Sequence, residues 1–472
     1  MSHASWTMNP SFFKNKKVTV FGLGLHGGGV GTVKFLVANG AKVIVTDIKT
    51  KEQLAVSLEK LKGLKNIQFV LGQHRPEDFT KADMVIKTPP VPWTDKNVKL
   101  ALEAGVPVEG DSSLFFKLCN NPIIGVTGSK GKTTTSVFIH DILKSAGRHA
   151  IKVGIGQASV LDKLALLKKD SVVVFELSSW RLAALGRFKL SPQVAVFKNM
   201  LRDHLNYYRT MDAYLKDKKN IFLYQKPKDW LVINEDDELV RESAKEAKSQ
   251  IFRFSYDPIE KDRAVFIENG SVFLNNGIDV QELVRLADIK VPGKHNLSNI
   301  MAAVAACYAF GLSVAEIKKA IPNLKGVPHR LEFVREFAGV RFYNDTAATI
   351  PDATVSALNS FEAPIILIAG GTDKGLDFSE LGKEIVQKTK KVVLLKGNAT
   401  DDLLIKIKKN FIEGKEREIE VVDSMDEAVR KSAEVSSAGD VVLLSPGAAS
   451  FGLFLNEFDR GDKFREAVSK LK

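Results

Sequence analysis

The sequence predicts an α/β protein of three domains, each a mostly parallel sheet flanked by helices. Three observations predict it. Short apolar runs alternate with amphipathic helical stretches along the chain, which is the pattern of strands and crossover helices. The length, 472 residues, suits about three domains of ordinary size. Two glycine-rich loops each stand where an apolar run gives way to a helical pattern.

The first domain, expected over 1–119, is Rossmann-like. Its strands read as KVTVFGLG from Lys17, KVIVTD from Lys42, IQFVLG from Ile67 and DMVIKT from Asp83. Gly22, Leu23, Gly24, Leu25, His26 and Gly27 spell GxGxxG at the end of the first strand, and Asp47 closes the second. A helix N-terminus at that turn can hold a diphosphate. Two ligands fit, a nicotinamide dinucleotide and another nucleotide diphosphate such as a UDP-sugar. A separate triphosphate-type loop downstream favours the second.

A turn at Cys119 to Pro122 marks the first boundary, and a P-loop-type ATPase domain is expected over 120–326. The apolar run after Pro122 breaks into TGSKGKT and then a helix. Gly128, Ser129, Lys130 and Gly131 offer backbone N–H groups to phosphate oxygens. Lys132 adds a point charge, Thr133 a hydroxyl suited to Mg²⁺, and Thr134 follows in the first helical turn. Val126 stands where GxxxxGK[ST] requires glycine, so the loop is the tighter TGxxGKT.

Glu176 ends the apolar run of VVVFELSSW, where a hard oxygen ligand would face Mg²⁺ beside the phosphate loop. Asp203 and His204 follow the next run, VAVFKNMLRDH. In AYLKDKKNIF, Lys219 is one of three lysines on a helix, and the pattern alone gives it no more than a solvent charge. Asn296 and Asn299, in GKHNLSN, stand one turn apart at the start of an alanine-rich helix, where they can hold a nucleotide edge or cap the helix.

The third domain, expected over 327–472, is again Rossmann-like, with strands VRFYND, APIILIAGG, KVVLLKGN, EIEVVD and DVVLLSPG. Arg330 in PHR and Asp345 in YNDTAAT are expected to close over ATP.

Composition narrows the partners. Lys and Arg number 68 against 56 Asp and Glu, a net charge of +12, but the lysines are scattered rather than gathered on one arm, so no nucleic-acid partner is expected. The two cysteines, Cys119 and Cys307, read as buried free thiols of a reducing compartment. No apolar run approaches a membrane span and the polar start lacks a signal-peptide core, so a cytoplasmic monomer acting on small molecules is expected.

Taken in order, TGSKGKT, ELSSW, DH, a downstream lysine, GKHNLSN, PHR, ND and LLSPGAASF resemble the Mur ligases of bacterial peptidoglycan synthesis over nearly the whole chain. GLGLHG with Asp47, GGTDKGLDF and SPGAASFGLFLNEFDRGDKF look most like the branch that adds D-glutamate to UDP-N-acetylmuramoyl-L-alanine. The resemblance implies an ATP-dependent amide ligase working through an acyl-phosphate. It implies that Lys132 and the loop amides hold the phosphates, Thr133 and Glu176 one Mg²⁺ and His204 a second, with Lys219 carbamylated by CO₂ to support a metal. Asn296, Asn299, Arg330 and Asp345 would contact ATP, Asp345 at the ribose hydroxyls. The residues Gly22 to Gly27, Asp47 and Ser178 would hold the UDP-substrate, and Thr349, Lys374, Ser450 and Phe451 the D-glutamate. Three departures from the family pattern stand out: Thr346 and Ala347 in place of a serine-lysine pair, Gly154 to Gly156 in place of an asparagine-bearing loop, and Thr88, Pro89, Pro90 in place of SPG. Folylpolyglutamate synthetase shares the ATP domain, the lysine and the glutamate-adding chemistry, but lacks an N-terminal GxGxxG domain.

Overall fold

The computed structural model describes residues 8–25, 27–155, 159–201, 205–260, 262–373, 375–411, 419–450 and 452–472. The chain divides into two compact units. One is Met1–Leu286 with Ser298–Ile321, the other Ala287–Leu297 with Pro322–Lys472.

The first unit holds two sheets. Strands β1 to β5 (Lys17–Phe21, Lys42–Asp47, Ile67–Leu71, Met84–Lys87 and Val108–Gly110) pair in the order β3-β2-β1-β4-β5, all parallel. The strand order reverses between β1 and β4, and ligands of such sheets sit outside the carboxyl ends at that reversal. Strands β6 to β14 follow (Ile123–Thr127, Ala150–Val153, Val172–Glu176, Val194–Phe197, Trp230–Asn234, Gln250–Ser255, Ala264–Glu268, Ser271–Asn275 and Val280–Arg285). Their order is β14-β13-β12-β11-β10-β9-β6-β8-β7. β6 is buried at every position because it is central and covered on both faces, which is why it reads as an unbroken apolar run. Its two isoleucines contribute about 1.5–3 kcal/mol each by leaving water.

One apolar core runs through both sheets. It includes Val18 and Val20 of β1, Leu114 and Phe115 of helix Asp111–Leu118, and Phe175 and Phe197 of β8 and β9. Phe115 and Phe175 meet edge to face with ring centroids 5.2 Å apart.

The second unit carries β15 to β20 (Glu332–Phe337, Val340–Asn344, Ile365–Gly370, Thr389–Leu395, Glu420–Val422 and Val441–Leu444) in the order β15-β16-β20-β17-β18-β19. All its pairs are parallel except the β15–β16 hairpin. The expected class therefore holds, with two antiparallel additions that the sequence reading omitted. The β12-β13-β14 meander turns at Asn269 (φ 45°) and Gly270 (φ 76°), and the β15–β16 hairpin at Ala338 (φ 50°) and Gly339 (φ 76°). Both are two-residue turns with positive φ throughout, the geometry that matches strand twist in a hairpin. Among the described residues no helix is long and apolar enough to cross a membrane.

Candidate active site

β6 delivers the chain into the phosphate-type loop, and β8 and β9 on either side deliver what surrounds it. Gly131 opens helix Lys132–Ser145 at φ +82°, and a Cβ there would come 2.5 Å from Asn299 Oδ1, so only glycine fits. The loop is held from the β9 side. The Ser129 N–H donates to Asn199 O at 3.0 Å, the Lys130 N–H to Asn199 Oδ1 at 2.9 Å, and the Ser129 hydroxyl to Leu201 O at 3.1 Å. Lys132 curls back so that Nζ donates to Gly128 O and Ser129 O, both at 3.0 Å, which keeps its charge over the loop. Thr134 stands half-buried in the same first turn. The Thr135 hydroxyl donates to Asn299 Oδ1 at 3.2 Å, bringing one of the two expected asparagines against the phosphate helix.

Thr133 and Glu176 meet as the sequence implied: the Thr133 hydroxyl donates to Glu176 Oε2 at 2.8 Å. Two hard oxygens, one from the first turn of helix Lys132–Ser145 and one from the carboxyl end of β8, fit Mg²⁺. No group of three or more His, Cys, Asp or Glu that could hold a metal occurs among the described residues. The third expected ligand, His204, lies outside the described residues, as does Asp203.

The structure places the two neighbouring lysines differently. Lys219 turns to the surface, where Nζ pairs with Glu246 Oε1 at 2.5 Å. Lys218, one residue earlier, is 1% exposed and reaches the phosphate loop: its Nζ donates to Gly128 O at 2.9 Å and lies 3.4 Å from Thr127 Oγ1, over the Tyr214 ring. Adjacent helix positions point about 100° apart, so only one of the two can face inward.

A cavity of about 400 Å³ lies at the reversal between β1 and β4. Leu23, Gly24, Leu25, Gly28 and Gly29 line it from the GxGxxG turn and the start of helix Gly28–Ala38, and Ser178 and Glu176 from the end of β8. Glu176 thus faces the cavity while its carboxylate holds Thr133 of the phosphate loop. Thr88, Pro89, Pro90 and Gly154 line the same cavity, so two of the three departures from the family pattern fall on its wall. Asp47 does not line it as expected. Its Oδ2 accepts from the Leu23 and Gly24 N–H groups at 2.9 and 3.0 Å and its Oδ1 from Lys49 N–H at 2.9 Å, so it stands behind the glycine turn and fixes its shape. Gly22 and Gly27 shape that turn at φ +92°, and His26 lies outside the described residues. Sequence reasoning missed Arg181. Its guanidinium lines the cavity, donating to Asp111 Oδ2 at 3.2 and 3.3 Å and to Gly154 O at 3.1 Å. An arginine two residues past ELSS, on the helix that Ser178 caps, was the available signal.

In the second unit, Asn296 donates from Nδ2 to Pro292 O at 2.7 Å. Arg330 is exposed, next to His329, which holds φ +65°. Asp345 is buried beneath that turn, its Oδ1 accepting from the Leu331 N–H at 3.1 Å and its Oδ2 from the Ser445 hydroxyl at 2.8 Å. Thr346, the first of the departing pair, is held by Arg460, which is 0% exposed and donates to Thr346 Oγ1, Thr346 O and Ala448 O at 2.9, 3.0 and 3.2 Å. Burial brings that guanidinium down to about 10. Arg460, also missed, ties together the loops after β16 and β20 that carry Thr349 and the buried Ser450. Lys374 and Phe451 lie outside the described residues.

Asp345 gives a pH prediction. Burial pushes its carboxyl up to about 7, against hydrogen bonds from Ser445 and the Leu331 N–H that oppose the rise. An unfolded aspartate ionises near ~4, so between about pH 4 and 7 the folded state holds a proton that the unfolded chain has lost. The stability from this group therefore falls as pH rises through that window and is level above it. Asp345→Asn is expected to flatten the fall in unfolding temperature across the window; an unchanged slope contradicts the assignment.

Comparison with known proteins places the whole chain. Residues 16–110 match the Mur ligase MurD-like N-terminal domain, 126–307 the Mur ligase middle domain, and 329–447 the Mur ligase glutamate ligase domain. The UDP-N-acetylmuramoylalanine–D-glutamate ligase of Roseiflexus sp. (strain RS-1) is 39% identical over 460 residues, covering 96% of this chain and 98% of that one. The protein of the same name from Clostridioides difficile (strain 630) is 38% identical over 466 residues, covering 97% and 99%. Among solved structures, a UDP-N-acetylmuramoyl-L-alanyl-D-glutamate–2,6-diaminopimelate ligase aligns with TM-score 0.59 at 20% identity, over 98% of this chain and 94% of that one. The MurF ligase of Thermotoga maritima, solved with ADP, aligns with TM-score 0.53 at 19% identity over 100% of both chains. These two agree with the chain in fold.

Proposed function

Because this chain belongs to the Mur ligase family, we propose that it is the ATP-dependent, ADP-forming ligase that joins D-glutamate to UDP-N-acetylmuramoyl-L-alanine in peptidoglycan precursor synthesis. An oxygen of the substrate's alanyl carboxylate attacks the γ-phosphorus of ATP and ADP leaves. The D-glutamate amine then attacks the acyl carbon, losing a proton as the amide forms and inorganic phosphate departs. One observation carries the reading: Glu176 faces the cavity behind the GxGxxG turn and, through Thr133, the phosphate loop, so phosphoryl donor and acceptor sites share a carboxylate.

Roles follow from position. Lys132 and the amides of Gly128 to Gly131 hold the β- and γ-phosphates and oppose the charge that builds as the phosphoryl group moves. Thr133 and Glu176 would hold one Mg²⁺ and His204 a second, and bound Mg²⁺ supplies charge neutralisation between the phosphate oxygens. Lys218 takes the carbamate role first expected of Lys219: its neutral amine adds to CO₂ and loses a proton, giving an anion beside the loop in place of a cation that would repel the metal. The cavity holds the UDP-substrate, with the N-terminus of helix Gly28–Ala38 toward its diphosphate. Asn296, Asn299, Arg330 and Asp345 are the ATP-contacting set, Asp345 also fixing the Arg330 turn; Thr349, Lys374, Ser450 and Phe451 are the D-glutamate set. Domains over 1–119, 120–326 and 327–472 divide these tasks in a cytoplasmic monomer.

The test is phosphate release from ATP with UDP-N-acetylmuramoyl-L-alanine and each of D-glutamate, L-glutamate, D-aspartate and meso-diaminopimelate. Turnover is expected with D-glutamate and only when both substrates are present. Preference for another amino acid, or rapid ATP hydrolysis without either substrate, contradicts the proposal.

A further inference from the structure

Lys198 has no place in the mechanism above, yet its side chain is among the most enclosed in the protein. It follows β9 directly, is 1% exposed, and pairs its backbone N–H with Thr127 O at 3.0 Å. The stem runs under the phosphate loop. A Cβ placed on Gly128 would come 2.7 Å from Lys198 Cβ, and one on Gly131 would come 3.3 Å from Lys198 Cε. Its amine donates to the Ser298 hydroxyl at 2.8 Å and lies 5.1 Å from the centre of the Phe254 ring. Among the described residues no carboxylate pairs with it.

The charged and titratable groups around it are otherwise committed. Lys132 and Lys218 both donate to Gly128 O, the Tyr256 phenol bonds Ser298, Asp236 accepts from Ser255 and the Tyr256 N–H, and Asp237 accepts from the Met200 N–H. Burial drives the Lys198 amine well below the ordinary lysine range. A triphosphate settling on the loop opposes that shift by bringing negative charge above the amine.

We infer that Lys198 is a further nucleotide-positioning residue, whose buried amine takes up a proton when the triphosphate occupies the loop and then supports the loop from beneath as a cation. The inference rests on the nucleotide reading of the TGSKGKT loop and adds to it a proton linked to binding. It also accounts for a lysine where an apolar side chain would be the less costly occupant.

Titration calorimetry of the full chain with Mg²⁺ and AMP-PNP, in Tris and in HEPES at matched pH, reads proton uptake from the difference in heat. The wild type is expected to take up about one proton per nucleotide at a pH of about 8. Lys198→Met should abolish the uptake and weaken binding roughly tenfold, while leaving the nucleotide-free unfolding temperature unchanged or higher, because an uncompensated buried amine has gone. Lys198→Arg, which stays charged, should bind without uptake. Wild-type binding with no proton uptake, or a Lys198→Met protein that keeps both uptake and affinity, overturns the inference. Should Lys198→Met fail to fold, the wild-type uptake and Lys198→Arg decide. A wild type that binds no AMP-PNP brings down the nucleotide reading itself, a separate outcome.

Discussion

Lys218→Ala is expected to be nearly inactive, while Lys219→Ala keeps close to wild-type activity. The two side chains differ in what they touch: Lys218 Nζ donates to Gly128 O at 2.9 Å, whereas Lys219 Nζ pairs with Glu246 on the surface. An exposed pair of that kind contributes about 0–1 kcal/mol, so its loss is tolerable. Because a small carboxylate can stand in for a missing carbamate, added formate or acetate should restore part of the Lys218→Ala activity. Coupled measurement of ADP release checks all three statements. Equal damage from both substitutions, or a fully active Lys218→Ala, contradicts the carbamate assignment.

Lys132→Ala and Glu176→Ala should each lower kcat by about a hundredfold or more, the scale of losing one preorganised electrostatic group at a reacting centre. Lys132 brings its charge onto the loop through Gly128 O and Ser129 O, and Glu176 is the carboxylate that the Thr133 hydroxyl meets at 2.8 Å. Both are part-buried rather than core residues, so circular dichroism should be unchanged. Near-normal turnover in either variant would place the chemistry elsewhere.

Much of this was legible in the sequence because its signals are backbone signals. Apolar runs such as those of β6 and β8 are what a strand covered on both faces must contain. The strand-to-helix glycine loops mark where the chain turns at carboxyl ends. The antiparallel meander was missed although Asn269 and Gly270 form the asparagine-glycine pair that such turns favour. The choice between Lys218 and Lys219 was legible too, through helical periodicity. Tyr214, Lys218, Ile221 and Phe222 are all buried, forming the inward stripe of one helix and its extension, and Lys219 falls outside it. Asp47 and Arg460 show where sequence stops. Each acts by bonding backbone groups brought close only by the fold, so nothing local in the chain announces the role. Lys198 is the extreme case, a charged residue at the end of an apolar strand whose burial depends on Phe254, Ser298 and the loop above it.

The central claim is that ATP activates a carboxylate which is then amidated, and oxygen transfer tests it most directly. UDP-N-acetylmuramoyl-L-alanine labelled with oxygen-18 in its alanyl carboxylate, turned over with ATP and D-glutamate in unlabelled water, should yield inorganic phosphate carrying one labelled oxygen per amide formed. Unlabelled phosphate accompanying amide formation, or phosphate released at full rate with no amide, would contradict an acyl-phosphate route through this site.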